Sequence, residues 1–249
     1  METGKETEKT KLDEKNPRTP DEEEAEMVRE AKLQKSSQTL LLVAVLSIVV
    51  VIGIFILLQY TKPEVPKTID ELHQLNIDGK LPEEQGLVYR GFSFVYLNGL
   101  WHTQSIGPNT SNVYSLYFHY LPTDLEYIPV EGSLNRTLFD SYPGVYVTFN
   151  PIGTNLQYVA LAISKFDQTL TKALGKLPIA ACDRNETEAC KERPIITCNT
   201  TNKPTLFVDQ QDSPKVIFED NCIIVQGKED SLVKAMERLL YLLYGIMQR

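Results

Sequence analysis

An uninterrupted apolar run, Leu40–Tyr60 (LLLVAVLSIVVVIGIFILLQY), limits what this chain can become more than any other stretch. It lies between Lys35 and Lys62 without a charged residue, and before the closing Tyr60 only Ser47 and Gln59 carry polar side-chain groups. At the α-helical rise it spans about 31 Å, close to the hydrocarbon thickness of a bilayer. Backbone groups in lipid must be satisfied within the segment, so the Val and Ile residues do not argue for a strand. The run reads as a single transmembrane helix with the lipid bilayer as its partner. A cleaved signal is disfavoured: the run exceeds a signal core of about 7–15 residues, follows an acidic tail, and precedes no Ala-x-Ala-like site. The next longest apolar stretch, Leu239–Ile246, is too short to cross, so the expectation is a single pass.

Orientation has to come from chemistry, because the flanking cations balance. Arg29, Lys32 and Lys35 lie on one side and Lys62, Lys67 and Lys80 on the other. All four cysteines, Cys182, Cys190, Cys198 and Cys222, follow the run. So do the Asn-x-Ser/Thr sequons at Asn109, Asn135, Asn185 and Asn199, the glycosylation candidates. Paired cysteines and glycan acceptors both favour an oxidising exterior. The reading is therefore a cell-membrane protein with a cytoplasmic N-terminus and its C-terminal domain outside.

Residues 1–35 form an acidic tail, too poor in apolar side chains at its start to offset the entropy of ordering. A charged helix is expected from Thr19-Pro20, where Thr19 caps and the following acids meet the positive end of the dipole. Residues 36–61 hold the anchor. Residues 62–80 read as a proline stalk, Lys62–Lys67, and a short helix opened by the capping box Thr68-Ile69-Asp70-Glu71. Residues 81–249 read as an extracytoplasmic α+β domain of antiparallel or mixed sheet with packed helices, divisible into lobes at 81–150 and 151–249. Lys+Arg number 25 against 33 Asp+Glu, and no basic block interrupts the domain, so nucleic acid is not an expected partner.

Within the domain, Gly91–Ser105 predicts two strands joined by Asn98-Gly99, a pair suited to a type I′ turn. That register sets Tyr96 against Trp101, Phe94 against Thr103 and Phe92 against Ser105 on one face, with Leu97–Leu100 and Val95–His102 on the other. A third strand is expected over Asn112–Tyr120. Leu121–Gly132 reads as a turn-rich link, Ser133–Asp140 as a short helix and Gly144–Asn150 as a strand ended by Pro151. Asn155–Leu174 carries apolar residues at 156, 159, 160, 163, 166, 170, 173 and 174, a helical spacing with Gly175 as a stop, and a strand through Tyr158–Ile163 is the competing reading. Further strands are expected at Leu177–Ala181, Pro194–Thr197, Thr205–Asp209, Lys215–Glu219 and Cys222–Gln226. A final helix, about Glu229–Ile246, is apolar around most of its circumference and so deeply packed.

The cysteines allow three pairings. Cys182–Cys190 with Cys198–Cys222 is preferred, the first closing a polar loop and the second tying neighbouring strands. Each bridge is worth about 2–4 kcal/mol. No two cysteines stand in a Cys-x-x-Cys knuckle, so a zinc site is not expected. The sequence names no catalytic residue and no cofactor: Gly-x-Ser-x-Gly, His-Glu-x-x-His, phosphate loops and dinucleotide fingerprints are missing. The histidines are His73, His102 and His119. Were His102 and His119 to meet beside Asp124 or Glu126, they would form a hydrolytic site; structural roles are the simpler reading. Ser231-Leu232-Val233-Lys234 matches Ser-x-x-Lys without its companion Lys-Thr-Gly, and Ser231 reads as a first-turn helix residue.

Three stretches, GFSFVYLNGLWHTQ, TEACKERPIITC and DNCIIVQGKEDSLVKAMERLLYLLYGIM, together resemble uncharacterised single-pass surface proteins of small-genome archaea. The resemblance covers most of residues 68–249 and implies an archaeal envelope setting without implying a chemistry. The functional expectation is a membrane-anchored binding or structural module with an envelope protein as partner. A tethered hydrolase is the alternative, and an exposed aromatic patch around Phe94, Tyr96 and Trp101 would favour the module.

Overall fold

The computed structural model describes residues 27, 29, 42–58, 68–107 and 111–249. They belong to two compact units, Met1–Val65 and Pro66–Arg249. In the first, residues 42–58 form a helix, α1, with every side chain exposed. Its large apolar side chains range from 49% exposed at Ile56 to 70% at Leu42. The Ser47 hydroxyl donates to the Ala44 carbonyl at 2.8 Å, so its polar group is satisfied inside the helix. Among the described residues no helix is long and apolar enough to cross a membrane. As described, α1 is shorter than the expected span; Leu40, Leu41, Gln59 and Tyr60 lie outside the described residues, as does the expected stalk, Lys62–Lys67. Met27 and Arg29 have helical backbone, and the rest of the expected tail helix lies outside as well.

The second unit is α+β, with one antiparallel and one mixed sheet and helices packed on both. It opens with α2 (Ile69–Ile77), capped by Thr68, which accepts the Glu71 amide proton at 3.2 Å. This helix, grouped with the stalk in the sequence reading, lies within the unit and packs on the first sheet. Its Asn76 donates to the Leu87 and Phe94 carbonyls, both at 3.0 Å. That sheet runs β1 (Gly86–Tyr89), β2 (Phe92–Leu97), β3 (Leu100–Ile106), β4 (Val113–Phe118), each antiparallel to the next. Asn98 and Gly99 have φ of 54° and 83°, the two positive angles a type I′ turn requires. Tyr96 therefore stands opposite Trp101 and Val95 opposite His102, as the sequence predicts.

The second sheet is mixed, in the order β5-β9-β10-β8-β6-β7. Its strands are β5 (Val130–Leu134), β6 (Gly144–Phe149), β7 (Leu177–Ala180), β8 (Thr205–Gln210), β9 (Lys215–Asp220) and β10 (Cys222–Gly227). β9 and β10 form an antiparallel hairpin, and the other pairs are parallel. Helices α3 (Arg136–Ser141), α4 (Leu156–Lys172), α5 (Glu188–Lys191) and α6 (Asp230–Leu243) complete the unit. β6, α4 and β7 make a parallel crossover. The outer edge of β7 is unpaired and its Leu177 is 66% exposed. The amides of Leu177 and Ala181 point inward to the Pro143 and Val147 carbonyls, and Pro178 between them has no N–H to offer outward.

α6 is the core element. It packs on β9, β10 and α4, and reaches the first sheet through its side chains. There the Tyr241 ring meets Phe118 at 4.1 Å and Phe94 edge-on at 5.8 Å between centroids. The chain enters α6 through Gly227, φ +155°, where a Cβ would come within 2.6 Å of the Leu232 backbone.

Three expectations need correction. The link after Leu121 does not run on to a helix at Ser133: it contains a 3-10 turn (Pro122–Leu125) and strand β5, and α3 begins only at Arg136, capped by Asn135. Pro194–Thr197 is no strand; Ile195 alone bridges Cys182, because flanking Pro194 and the Cys198 turn leave no run to pair. β4 stops at Phe118 instead of Tyr120, because a side chain takes the next two amides. The aromatic row divides: Phe94 belongs to the core, Trp101 is half-buried and Tyr96 is exposed.

The disulfides are Cys182–Cys190 and Cys198–Cys222, the pairing preferred from sequence. The second ties an irregular turn to the start of β10, not strand to strand. Its sequence separation is 24, against 8 for the first. Loop-closure entropy therefore makes it the stronger constraint by about 1 kcal/mol. Replacing Cys198 and Cys222 by Ser should lower unfolding free energy by that much more than replacing Cys182 and Cys190, as read by denaturant titration of Trp101 fluorescence.

Candidate functional site

The apolar stripe of α4 is wider than the core it serves. Val159, Ala162, Phe166 and Leu170 are fully buried. Leu156, Ala160 and Ile163, one helical row away, instead line an open groove with Phe149 from the end of β6 and an edge of Val159. The groove has a volume of about 600 Å³. Ser164, Asp167, Gln168 and Thr171 continue the row and make its far end polar. An apolar concavity with few polar groups at one end is the usual form of a small-ligand site.

Asp167 is the group in the groove with unspent chemistry. Its Oδ1 is closed off from solvent and has no hydrogen-bond partner. Burial alone pushes the carboxyl up to about 6. Its neighbours are committed elsewhere: Thr171 donates its hydroxyl to the Asp167 carbonyl at 2.9 Å, and Gln168 accepts from the Tyr117 hydroxyl at 2.7 Å. An unpaired, desolvated carboxyl beside an apolar cleft marks a functional-site candidate.

A second cluster gathers around a buried acid. Glu237 of α6 is 0% exposed. Its carboxylate accepts the His119 amide at 2.9 Å, the Tyr120 amide at 3.0 Å and the His119 Nδ1 proton at 2.8 Å. Lys165 of α4 approaches it at 3.2 Å while donating to the Tyr117 carbonyl at 3.0 Å. The Lys165 ammonium also lies over the Tyr117 and Phe118 rings. Around it, Tyr241 donates to the Tyr120 carbonyl at 2.7 Å. The Tyr120 hydroxyl donates to Asp230, which also pairs with Lys234 at 2.8 Å. Burial and the acceptor Asp230 push the Tyr120 phenol up. The buried carboxylate, the ammonium and the Tyr241 hydroxyl all have protein partners and hold structure, whereas His119, with its side chain 34% exposed, is engaged through Nδ1 and its amide.

The histidines have separate partners. His119 is bound to Glu237, and the His102 Nε2 faces the Leu97 carbonyl at 3.2 Å with its ring against Tyr117. Asp124 accepts from the Leu121 amide and Glu126 from the Tyr89 hydroxyl, so neither carboxylate joins a histidine. His73 is buried against Ser93 at 3.0 Å, and burial, ahead of the nearby charges, lowers its pKa. Ser231 exchanges hydrogen bonds with the Lys228 backbone while Lys234 is paired with Asp230, so they form no dyad.

No group of His, Cys, Asp and Glu among the described residues is arranged to hold a metal. Asn135, Asn185 and Asn199 are exposed, Asn135 while capping α3 through its side-chain oxygen. Asn109 lies outside the described residues. Sequence reasoning missed Glu237, Lys165 and Asp167. The chain matches no family model, no curated protein and no solved structure.

Two outcomes follow from these environments. Removing Glu237 strands Lys165, two strand-end amides and an imidazole. Glu237→Ala should therefore cost about 3–5 kcal/mol in denaturant unfolding, more than Glu237→Gln, which keeps the shape. For Asp167 the folded value of about 6 exceeds the ordinary 3.8, so the folded chain holds the proton more tightly. Its contribution is greatest below pH 4 and is lost as pH rises through 4–6. Asp167→Asn should match the parent at pH 4 and be more stable at pH 8 by about 1 kcal/mol, allowing for solvent screening of the partly exposed group.

Proposed function

We propose that the chain is a membrane-anchored extracytoplasmic binding or structural module of the cell envelope, with its N-terminus cytoplasmic and the unit Pro66–Arg249 outside. The observation that carries this reading is the disulfide pair: both bridges lie in that unit and no cysteine is left free. Disulfides persist in oxidising compartments. The exposed sequons Asn135, Asn185 and Asn199 on the same unit support the same side of the membrane.

In this reading α1 is the middle of an anchor that runs over Leu40–Tyr60. Its apolar surface, uncovered from residue 42 to residue 58, is what a lipid-facing helix presents. Binding is assigned to the α4 groove, since the buried charges elsewhere are spent on holding elements together. The separate partners of His102 and His119 lend nothing to a tethered hydrolase.

Protease shaving of intact cells, followed by non-reduced mass spectrometry across Leu177–Gln226, tests the topology. Released peptides carrying both bridges are expected. Protection of this stretch with free thiols would invert the orientation and remove the basis for an external module.

A further inference from the structure

We propose that the α4 groove binds a small amphiphilic amine, its apolar body lying along Leu156, Ala160 and Ile163 and its ammonium paired with Asp167. The proposal deepens the reading of the unit as a binding module and does not depend on which side of the membrane it occupies.

Size comes first. A concavity of about 600 Å³ falls within the range of small-molecule sites, on the order of 300–1,000 Å³. Along α4 the axial distance from Leu156 to Asp167 is about 16 Å, which suits an elongated ligand in place of a compact one. The apolar row ends at Ile163 and the polar one begins with Ser164 and Asp167, so the ligand must be amphiphilic with its polar group at one end.

The sign of that polar group follows from what Asp167 lacks. With its Oδ1 closed off and unpaired, the half-buried Asp167 carboxylate has no protein donor to offset its charge, and its groove-facing side is where a donor could be supplied. No basic side chain of the described residues pairs with it: Lys165 turns to Glu237 and Tyr117. An anionic ligand would add repulsion. A neutral alcohol would offer one donor and no charge. An ammonium offers several donors and a charge-assisted hydrogen bond, roughly twice as strong as a neutral one. A lone carboxylate is too few ligands for a metal ion, and no cluster of metal-holding residues includes it among the described residues.

The test uses the full chain in nanodiscs and equilibrium dialysis at pH 7.5 against 4-phenylbutylamine and its isostere 4-phenylbutan-1-ol, with empty nanodiscs subtracted. Saturable amine binding at least tenfold tighter than alcohol binding is expected. Asp167→Asn, which the carboxyl's burial predicts to be well folded, should abolish that preference. Ala160→Trp, at an exposed position inside the groove, should weaken both ligands at least fivefold while leaving the carboxyl intact. Absence of saturable amine binding by the parent chain, or the same preference in Asp167→Asn, would overturn the proposal. Failure here leaves the shaving result untouched, and an inverted topology would leave this binding untouched.

Discussion

One buried carboxylate holds the second unit together. Glu237 lies on the central helix, takes the two amides left over where β4 ends, and receives Lys165 from α4. The first sheet, α4 and α6 thus converge on a single acid that is wholly withdrawn from water. Two charges in such a place are costly unless every remaining hydrogen-bonding position is filled, and here backbone amides and an imidazole fill them. The Tyr241 ring, a turn further along α6, is clamped between Phe94 and Phe118 by the same alignment. Polar and aromatic contacts therefore fix one register of sheet against helix, where apolar packing alone would tolerate several.

Much of this arrangement was legible in the chain because it is local. Asn98-Gly99 sets a hairpin within a few residues, Thr68 caps its own helix, and the α4 and α6 patterns repeat over several turns. The bridges were legible too, since each joins cysteines not far apart in sequence. What failed is non-local. β5 contains Gly132 at φ +72° and owes its extended form to parallel pairing with β9, far along the chain. No short-range pattern announces such a strand. Glu237 was missed, although the apolar residues of α6 cover most of the helix circumference and leave little solvent face for an acid.

The α4 groove shows the same principle from the other side. The spacing of Leu156, Ala160 and Ile163 was read as part of one core stripe, and half of that stripe is indeed core. In the remainder Leu156 and Ile163 pack against the core on one side and face the groove on the other, Ala160 is exposed, and Asp167 interrupts the row. A single acid at the helical spacing of an apolar row was the available signal. Read with the periodicity, it separates the packed half of the stripe from the half that faces the groove.

Pro178 carries a consequence at a larger scale. Chains tethered to one surface, as proposed here, meet one another at concentrations that free proteins never reach. A bare strand edge such as that of β7, with Leu177 and Ile179 exposed, would then seed ribbons of neighbouring copies. Pro178 removes one of the two outward donors of that four-residue strand, so a visiting strand would find fewer bonds to hold it. Crowding in the plane thus meets a single tertiary amide with no hydrogen to give.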